Sequence, residues 1–370
     1  MKFVVKKEIL LDSLNNTSKA ISTKNLIPIL TGIKFDLKED GLYLYASDTD
    51  VSIRTYIPKD KLTSLDEIGS IVIGGKYIVE IVRKLPSTDI SIEVIDGYKM
   101  IISTDNTEFN LNGINPNEYP NLDLDETKEP IVINTEVFKE MINQTVFATS
   151  PSETRPLLTG INFRINGSEL EVLATDSYRL ARKLVNIDHE LENDVNIVIP
   201  GKNLVELTKM LDDDGMLELH LFSNKVLFKY GNMVFLSRLL SGTYPTTSNI
   251  IPKDFNIELE CSFDDLFNMI DRASLLTSDR EKNTIKLSLN QNELMISSNS
   301  PEIGKVEEKI TVESDKYINI SFSSKFMLDA IKSFNKEKII ICMNNDSSPI
   351  VIKNSEDTSL VQLVLPIKTC

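Results

Sequence analysis

A twelve-residue pattern occurs three times in this chain: GGKYIVEIVRKL at 74–85, PGKNLVELTKML at 200–211 and SSKFMLDAIKSF at 323–334. The copies align without a gap, and their lysines, Lys76, Lys202 and Lys325, are spaced by 126 and 123 residues. A second element keeps the same step. GIKFDLKEDGLYLYASDTD (32–50) matches GINFRINGSELEVLATDSY (160–178), and TIKLSLNQNELMISSNSPE (284–302) preserves its alternation more weakly. A helix-like apolar run precedes each of these, at 8–22, 135–150 and 263–278. Solenoid repeats have periods of roughly 20–50 residues, far shorter than these. Three similar domains are therefore expected, at 1–126, 127–252 and 253–370. Their boundaries fall near DETKEP (125–130) and NIIPKDF (249–255), where charge and proline interrupt the periodicity.

Between the helical runs, apolar and polar residues alternate with period two, as in ELEVLAT and DISIEVI. That is the pattern of antiparallel strands with one buried face. Turn signals separate them at Glu39-Asp40-Gly41, Asp96-Gly97 and Asn166-Gly167. Two helices packed on antiparallel sheets in each unit make an α+β protein.

The recurring helix has two faces. Residues three and four apart share a side, so Lys76, Glu80 and Arg83 form one stripe. Lys202, Glu206 and Lys209 repeat it, as do Lys325, Asp329 and Lys332. Apolar residues, Ile78, Val79, Ile81, Val82 and Leu85 in the first copy, take the opposite side. Such a stripe reads either as a solvated face laced with i,i+4 ion pairs or as a surface that meets phosphate loosely. Three copies with a cation at both outer places favour phosphate. The Gly201-Lys202 pair does not make a nucleotide loop, which would place glycines ahead of the lysine and Ser or Thr after it; here Asn203 follows.

A net charge of −15 argues against nucleic acid unless the charges are segregated. No apolar run approaches the ~20 residues of a membrane span, and charges interrupt the N-terminal MKFVVKKEILLDSL as they would not in a secretory signal. Cys261, Cys342 and Cys370, odd in number and far apart, predict no disulfide frame and a cytoplasmic location. DTD (48–50) has the carboxylate spacing of a metal site. Its equivalents in ATDSY and SSNSP lose one or both acids, so Asp48 and Asp176 are expected to cap loop turns. His189 and His220 lie in different elements, which speaks against a catalytic triad or a zinc site. No active site, cofactor or metal is expected.

Along its whole length the chain resembles the bacterial sliding clamps, the beta subunits of DNA polymerase III. The matching stretches are IPILTGIKF (27–35), EYPNLD (118–123), SPSETRPLLTGINF (150–163), LATDSYRLA (173–181), LSGTYPTTSNIIP (240–252) and QLVLPIKTC (362–370). The resemblance implies the DNA-clamp fold and a homodimeric ring, sheets outside and helices around a hole that encloses duplex DNA. It implies a non-catalytic, nucleoid-associated processivity subunit, loaded by a separate clamp-loader ATPase. The polymerase III catalytic subunit, other polymerases and repair proteins would dock through short peptide motifs. The competing class is a three-repeat scaffold that binds proteins or glycans without DNA. It explains the repeats and the acidity, but not three basic stripes in register.

The resemblance also assigns residues. Lys24, Lys76, Arg83, Lys202, Lys209, Arg272, Lys325 and Lys332 would face DNA without reading its sequence. Phe109 and Leu111 of the first domain would meet Leu275 and Leu276 of the partner's third domain at the dimer contact. A peptide pocket would be built from Arg155, Leu157 and Leu158; Thr175, Ser177, Tyr178, Arg179 and Leu180; Pro245, Asn249 and Ile250; Ser347 and Pro349; and Leu363, Leu365, Pro366 and Ile367. The plain alternative makes LVQLVLPI a last edge strand tucked into the core.

Overall fold

The computed structural model describes residues 1–21, 27–126, 129–247, 249–278, 282–334 and 336–368. Lys24 and Cys370 therefore lie outside the described residues. Six α-helices occur among those described: α1 (Lys7–Thr17), α2 (Gly75–Lys84), α3 (Thr135–Asn143), α4 (Gly201–Thr208), α5 (Phe263–Ser274) and α6 (Ser324–Lys332). Two fall in each repeat, as the periodicity predicts. The first of each pair stops short of its apolar run. In the first two copies a threonine hydroxyl near the stop bonds back four residues, Thr17 to the Ser13 carbonyl and Thr145 to that of Met141, each at 2.7 Å. Such bonds compete with continued helix.

The chain divides into two compact units, residues 1–138 with 206–239, and residues 139–205 with 240–370. In the first, one sheet runs in the order Leu62–Glu67, Lys2–Lys6, Asp89–Ile95, Lys99–Thr104, Thr107–Asn112. An eight-stranded sheet runs Ile131–Asn134, Met216–Leu221, Lys225–Tyr230, Met233–Arg238, Val51–Pro58, Gly41–Ser47, Gly32–Lys38, Gly69–Gly74. Its core includes Phe138, Phe228 and Phe235, packed edge to face at 5.7 and 6.2 Å.

In the second unit, a six-stranded sheet has the order Gly160–Thr175, Arg179–Pro200, Leu360–Val364, Ile350–Lys353, Lys338–Met343, Ile257–Ser262. A four-stranded sheet follows the order Gly304–Thr311, Glu293–Ser300, Thr284–Asn290, Tyr317–Ser323. All the pairings are antiparallel.

Two sheets thus join strands from neighbouring repeats: Met233–Arg238 pairs with Val51–Pro58, and Arg179–Pro200 with Leu360–Val364. An exposed sheet edge invites pairing, and here the next repeat supplies it. The strand Leu360–Val364 is consequently central and wholly buried, not the edge strand that the plain alternative expected. Asn166-Gly167 also departs from expectation. It is a bulge within one long strand, with register shifts on both sides of Gly167, whose φ of +59° suits glycine.

The stripe helices bury the face the pattern assigns: Ile78, Val79 and Val82 in α2, Leu204 and Leu207 in α4, Met327, Ala330 and Ile331 in α6. Each begins on a small residue for a steric reason. A Cβ at Gly75 would overlap Ile21, and one at Gly201 would come within 3.1 Å of the Thr159 carbonyl. Ser324 takes the equivalent place, buried.

Candidate peptide pocket and nucleic-acid interface

The pocket residues gather around one buried arginine. The strand Gly160–Thr175 ends at Asp176, whose Oδ1 accepts the N–H groups of Tyr178 and Arg179 at 2.9 and 3.0 Å. Asp48 does the same for Asp50 and Val51, at 3.0 and 2.7 Å. Both aspartates are turn caps, as the sequence predicts. This cap puts Ser177 at φ +80°, a left-handed position, and turns Tyr178 outward, 63% exposed. Arg179 turns inward and is only 8% exposed. Its Nε donates to Asp176 at 2.9 Å and its Nη1 to Asp329 at 2.6 Å. The guanidinium lies 4.5 Å from the Phe326 ring centre and 5.4 Å from that of Phe147, so cation–π contact supplements the ion pairs. Tyr178 stacks on the same Phe326, with ring centres 6.4 Å apart.

Below this layer is an apolar cluster. Leu158, Leu180 and Leu363 are buried in it, with Leu157 and Leu365 half-buried at its margin. The tail is pinned there: Leu365 N–H donates to the Tyr178 carbonyl at 2.9 Å, and Ile367 N–H to that of Ser321 at 2.7 Å. Thr175 N–H donates to the Tyr244 hydroxyl at 3.1 Å, while Arg155 Nη1 donates to Ser177 at 3.1 Å. Burial pushes the Tyr244 hydroxyl up to about 12. The Pro245 carbonyl accepts from Arg164 at 3.5 Å. Pro366 is half-buried, as is Pro349, whereas Ser347 and Asn249 are exposed. Ile250 faces solvent and Ile251 packs against the cluster in its place.

Sequence reasoning missed Phe147, Tyr244 and Phe326, and gave Asp329 a different role. Asp329 occupies the acidic position of the third stripe but turns to Arg179. No period in the sequence signals a bond across 150 residues.

Along the stripes, Lys76, Arg83, Lys202, Lys325 and Lys332 on their helices and Lys209, one residue past α4, are all exposed. The acids pair at i,i+3 instead of the expected i,i+4: Glu80 with Arg83, and Glu206 with Lys209 at 2.7 Å. Arg83 also donates to Asn15 at 3.2 Å, and Lys332 sits over the Phe267 ring at 5.2 Å. Lys76, Lys202 and Lys325 have no ion pair among the described residues. Arg272 differs from the rest. Its guanidinium forms a fork with Glu308, at 2.7 and 2.6 Å, which draws its charge toward the sheet.

Among the dimer candidates, Phe109 is exposed and Leu111 half-buried on Thr107–Asn112, an edge strand. Leu275, at 74% exposure, is not a core residue, and Leu276 is half-buried beside it.

Glu126, Glu218 and His220 bring one ligand atom each within 4.8 Å of one another, a grouping the sequence did not suggest. Arg54 and Lys229 already hold Glu126, at 2.6 and 2.9 Å, and Lys229 also lies 3.4 Å from Glu218. A metal ion would meet two fixed positive charges there. Burial alone would raise the Glu126 carboxyl, but bonds and charge from Lys229 and Arg54 outweigh it and lower it.

Comparison with known proteins gives the family of the whole chain. The family model for the DNA polymerase III beta subunit, N-terminal domain, matches residues 1–123; the central-domain model matches 132–246 and the C-terminal-domain model 248–368. The chain belongs to the DNA polymerase III beta subunit family. The beta sliding clamp of Bacillus subtilis (strain 168) is 43% identical over 377 residues, and that of Staphylococcus aureus (strain COL) 40% over 376, each covering 100% of both chains. The crystal structure of the Bacillus subtilis sliding clamp matches with a TM-score of 0.97 at 42% identity, and that of the Streptococcus pyogenes beta subunit with 0.95 at 29%, both covering 100% of each chain. This clamp confers processivity on DNA polymerase III and is not itself catalytic. Among the described residues, no helix is long and apolar enough to cross a membrane.

Proposed function

We infer that two copies of this chain close head to tail around duplex DNA, and that partners dock at the pocket between Tyr178 and Leu365. The three domains would be 1–126, 127–252 and 253–370, and the working site the nucleoid in the cytoplasm. The stripe lysines, with Arg83, would face phosphate. Lys24 joins them by family resemblance alone, and Arg272 would contribute less because Glu308 holds it. Contacts of this kind carry no base information. Retention on DNA comes from closure of the ring, so loose contacts suffice and the clamp slides. A polymerase tied to it gains effective concentration, as linked binders do. The edge strand with Phe109 and Leu111 would meet the partner's Leu275 and Leu276, which follow α5, a helix packed against another edge strand, Gly304–Thr311.

The observation that carries the pocket reading is the contrast at Tyr178–Arg179. A large aromatic is exposed beside an arginine held rigidly by two carboxylates and two rings. An exposed aromatic on a rigid base is what a short extended peptide with apolar anchors needs. Deleting Leu365 through Cys370 leaves Leu360–Val364 in its sheet. The expected result is an intact dimer that no longer binds a peptide from the polymerase III catalytic subunit, against roughly micromolar affinity for the full chain. Unchanged affinity would remove this pocket from consideration.

A further inference from the structure

The four-stranded sheet of the second unit has a polar face opposite its helices. Lys286 stands across from Ser297 on one neighbouring strand and Ser321 on the other. Thr284, two residues earlier, shares that face because strand side chains alternate; Asn299, itself opposite Lys305, stands two residues from Ser297 on the same side. Lys282 and Lys368 complete a cavity of about 550 Å³ around these groups, with Ile367 in its wall. Among the described residues the wall contains four lysines and no carboxylate, in a chain whose net charge is −15. Only Lys305 is ion-paired, to Glu307; Lys282, Lys286 and Lys368 have no ion pair among the described residues. Like charges gathered in a concavity repel one another and raise the local concentration of anions.

Position decides which anion. The sheet's other face packs through Leu287, Leu289 and Phe322 against the core that includes Met269 of α5 and Met327 of α6. The cavity therefore opens away from the helix stripe of Lys325 and Lys332, on the side remote from the proposed DNA. It adjoins the peptide pocket through one short segment. Leu365 is bonded to Tyr178, Ile367 to Ser321, and Lys368 lines the cavity. From Leu365 to Lys368 an extended chain covers only about 10 Å.

We propose that this lysine cavity is an anion subsite for docked peptides, taking the aspartate or glutamate side chains that flank their apolar anchors. The proposal rests on the pocket reading above. It makes partner binding salt-dependent and its association faster for acidic segments, as complementary charge does.

The test uses the full-length dimer at low salt, with fluorescein-labelled hexaglutamate as one probe. The others are the polymerase peptide, bare or with four glutamates added at either end. Wild type should bind hexaglutamate weakly and favour one extended peptide over the bare one by roughly fivefold to tenfold, with the gain screened away at high salt. Lys282→Gln with Lys286→Gln and Lys368→Gln should abolish the gain and leave bare-peptide affinity unchanged. Lys76→Gln with Lys202→Gln and Lys325→Gln should leave the gain intact. Failure of the bare peptide to bind would indict the pocket itself, and hexaglutamate would still report on the cavity. A gain that survives the cavity variant, or vanishes in the helix variant, overturns the proposal. So does a cavity variant that loses short-duplex binding instead of hexaglutamate binding.

Discussion

Arg179 and Lys202 are both conspicuous cations, and the structure treats them in opposite ways. Arg179 is buried, fixed by Asp176 and Asp329 and clasped by Phe147 and Phe326. Lys202, like Lys76 and Lys325, stands in solvent. A buried charge is expensive to desolvate and needs well-placed partners, so the Arg179 cluster is held rigidly, as the proposed peptide docking requires. An exposed lysine on a four-carbon stem interacts weakly and is readily screened. Recognition of a particular peptide suits the first arrangement, and sliding along any sequence suits the second.

Several experiments would break or sharpen that contrast. The largest effect is expected from Arg179→Ala, which leaves Asp176 and Asp329 facing one another without their cation. A loss of about 3–5 kcal/mol in chemical denaturation is expected, as for a broken buried pair, together with loss of peptide binding. A cost under about 1 kcal/mol would mean the cluster is no more rigid than the stripe. Next comes the dimer contact: Phe109→Ala with Leu276→Ala should cost several kcal/mol of association. Sedimentation of dilute protein should then find monomer, and a persisting dimer would count against this edge-to-edge contact.

Neutralising Lys76, Arg83, Lys202, Lys209, Lys325 and Lys332 together should barely move stability, by less than about 0.5 kcal/mol per site. It should weaken DNA association at low salt and flatten its salt dependence by up to ~0.9 for each phosphate no longer neutralised. Equal binding by wild type and variant would remove the stripe from the DNA interface. The smallest effect concerns acid. Asp357 is partly buried, which alone would raise its carboxyl, yet bonds from Ser359 and Lys183 lower it. Its contribution is complete above about pH 3.9, the ordinary aspartate value, and is lost as pH falls through its own lower value. Melting curves from pH 5 to pH 2.5 should therefore steepen less in Asp357→Asn than in wild type.

Much of this was legible beforehand, and the reasons differ by element. Helix faces and strands are local: periods of 3.6 and 2 are written in adjacent residues, so the burial of Ile78, Val79 and Val82 and the caps at Asp48 and Asp176 could be read directly. Whole-chain resemblance grouped Leu157, Leu158, Leu180 and Leu363, and these do form one apolar cluster. The choice of partners was not legible. Asp329 bonds to Arg179 and not along its helix, and Arg272 is held by Glu308. Ile251, not Ile250, joins the apolar cluster.

The sequence by itself determined three repeats, two helices in each and a basic stripe on the second helix, because each repeat carries its own hydrophobic period. Only the tertiary structure decided that sheets run from one repeat into the next and that the chain's last strand is central. It also decided which acids pair with which cations. These outcomes depend on edges, charges and rings far apart in sequence, whose energies become comparable only once the backbone brings them within a few ångströms.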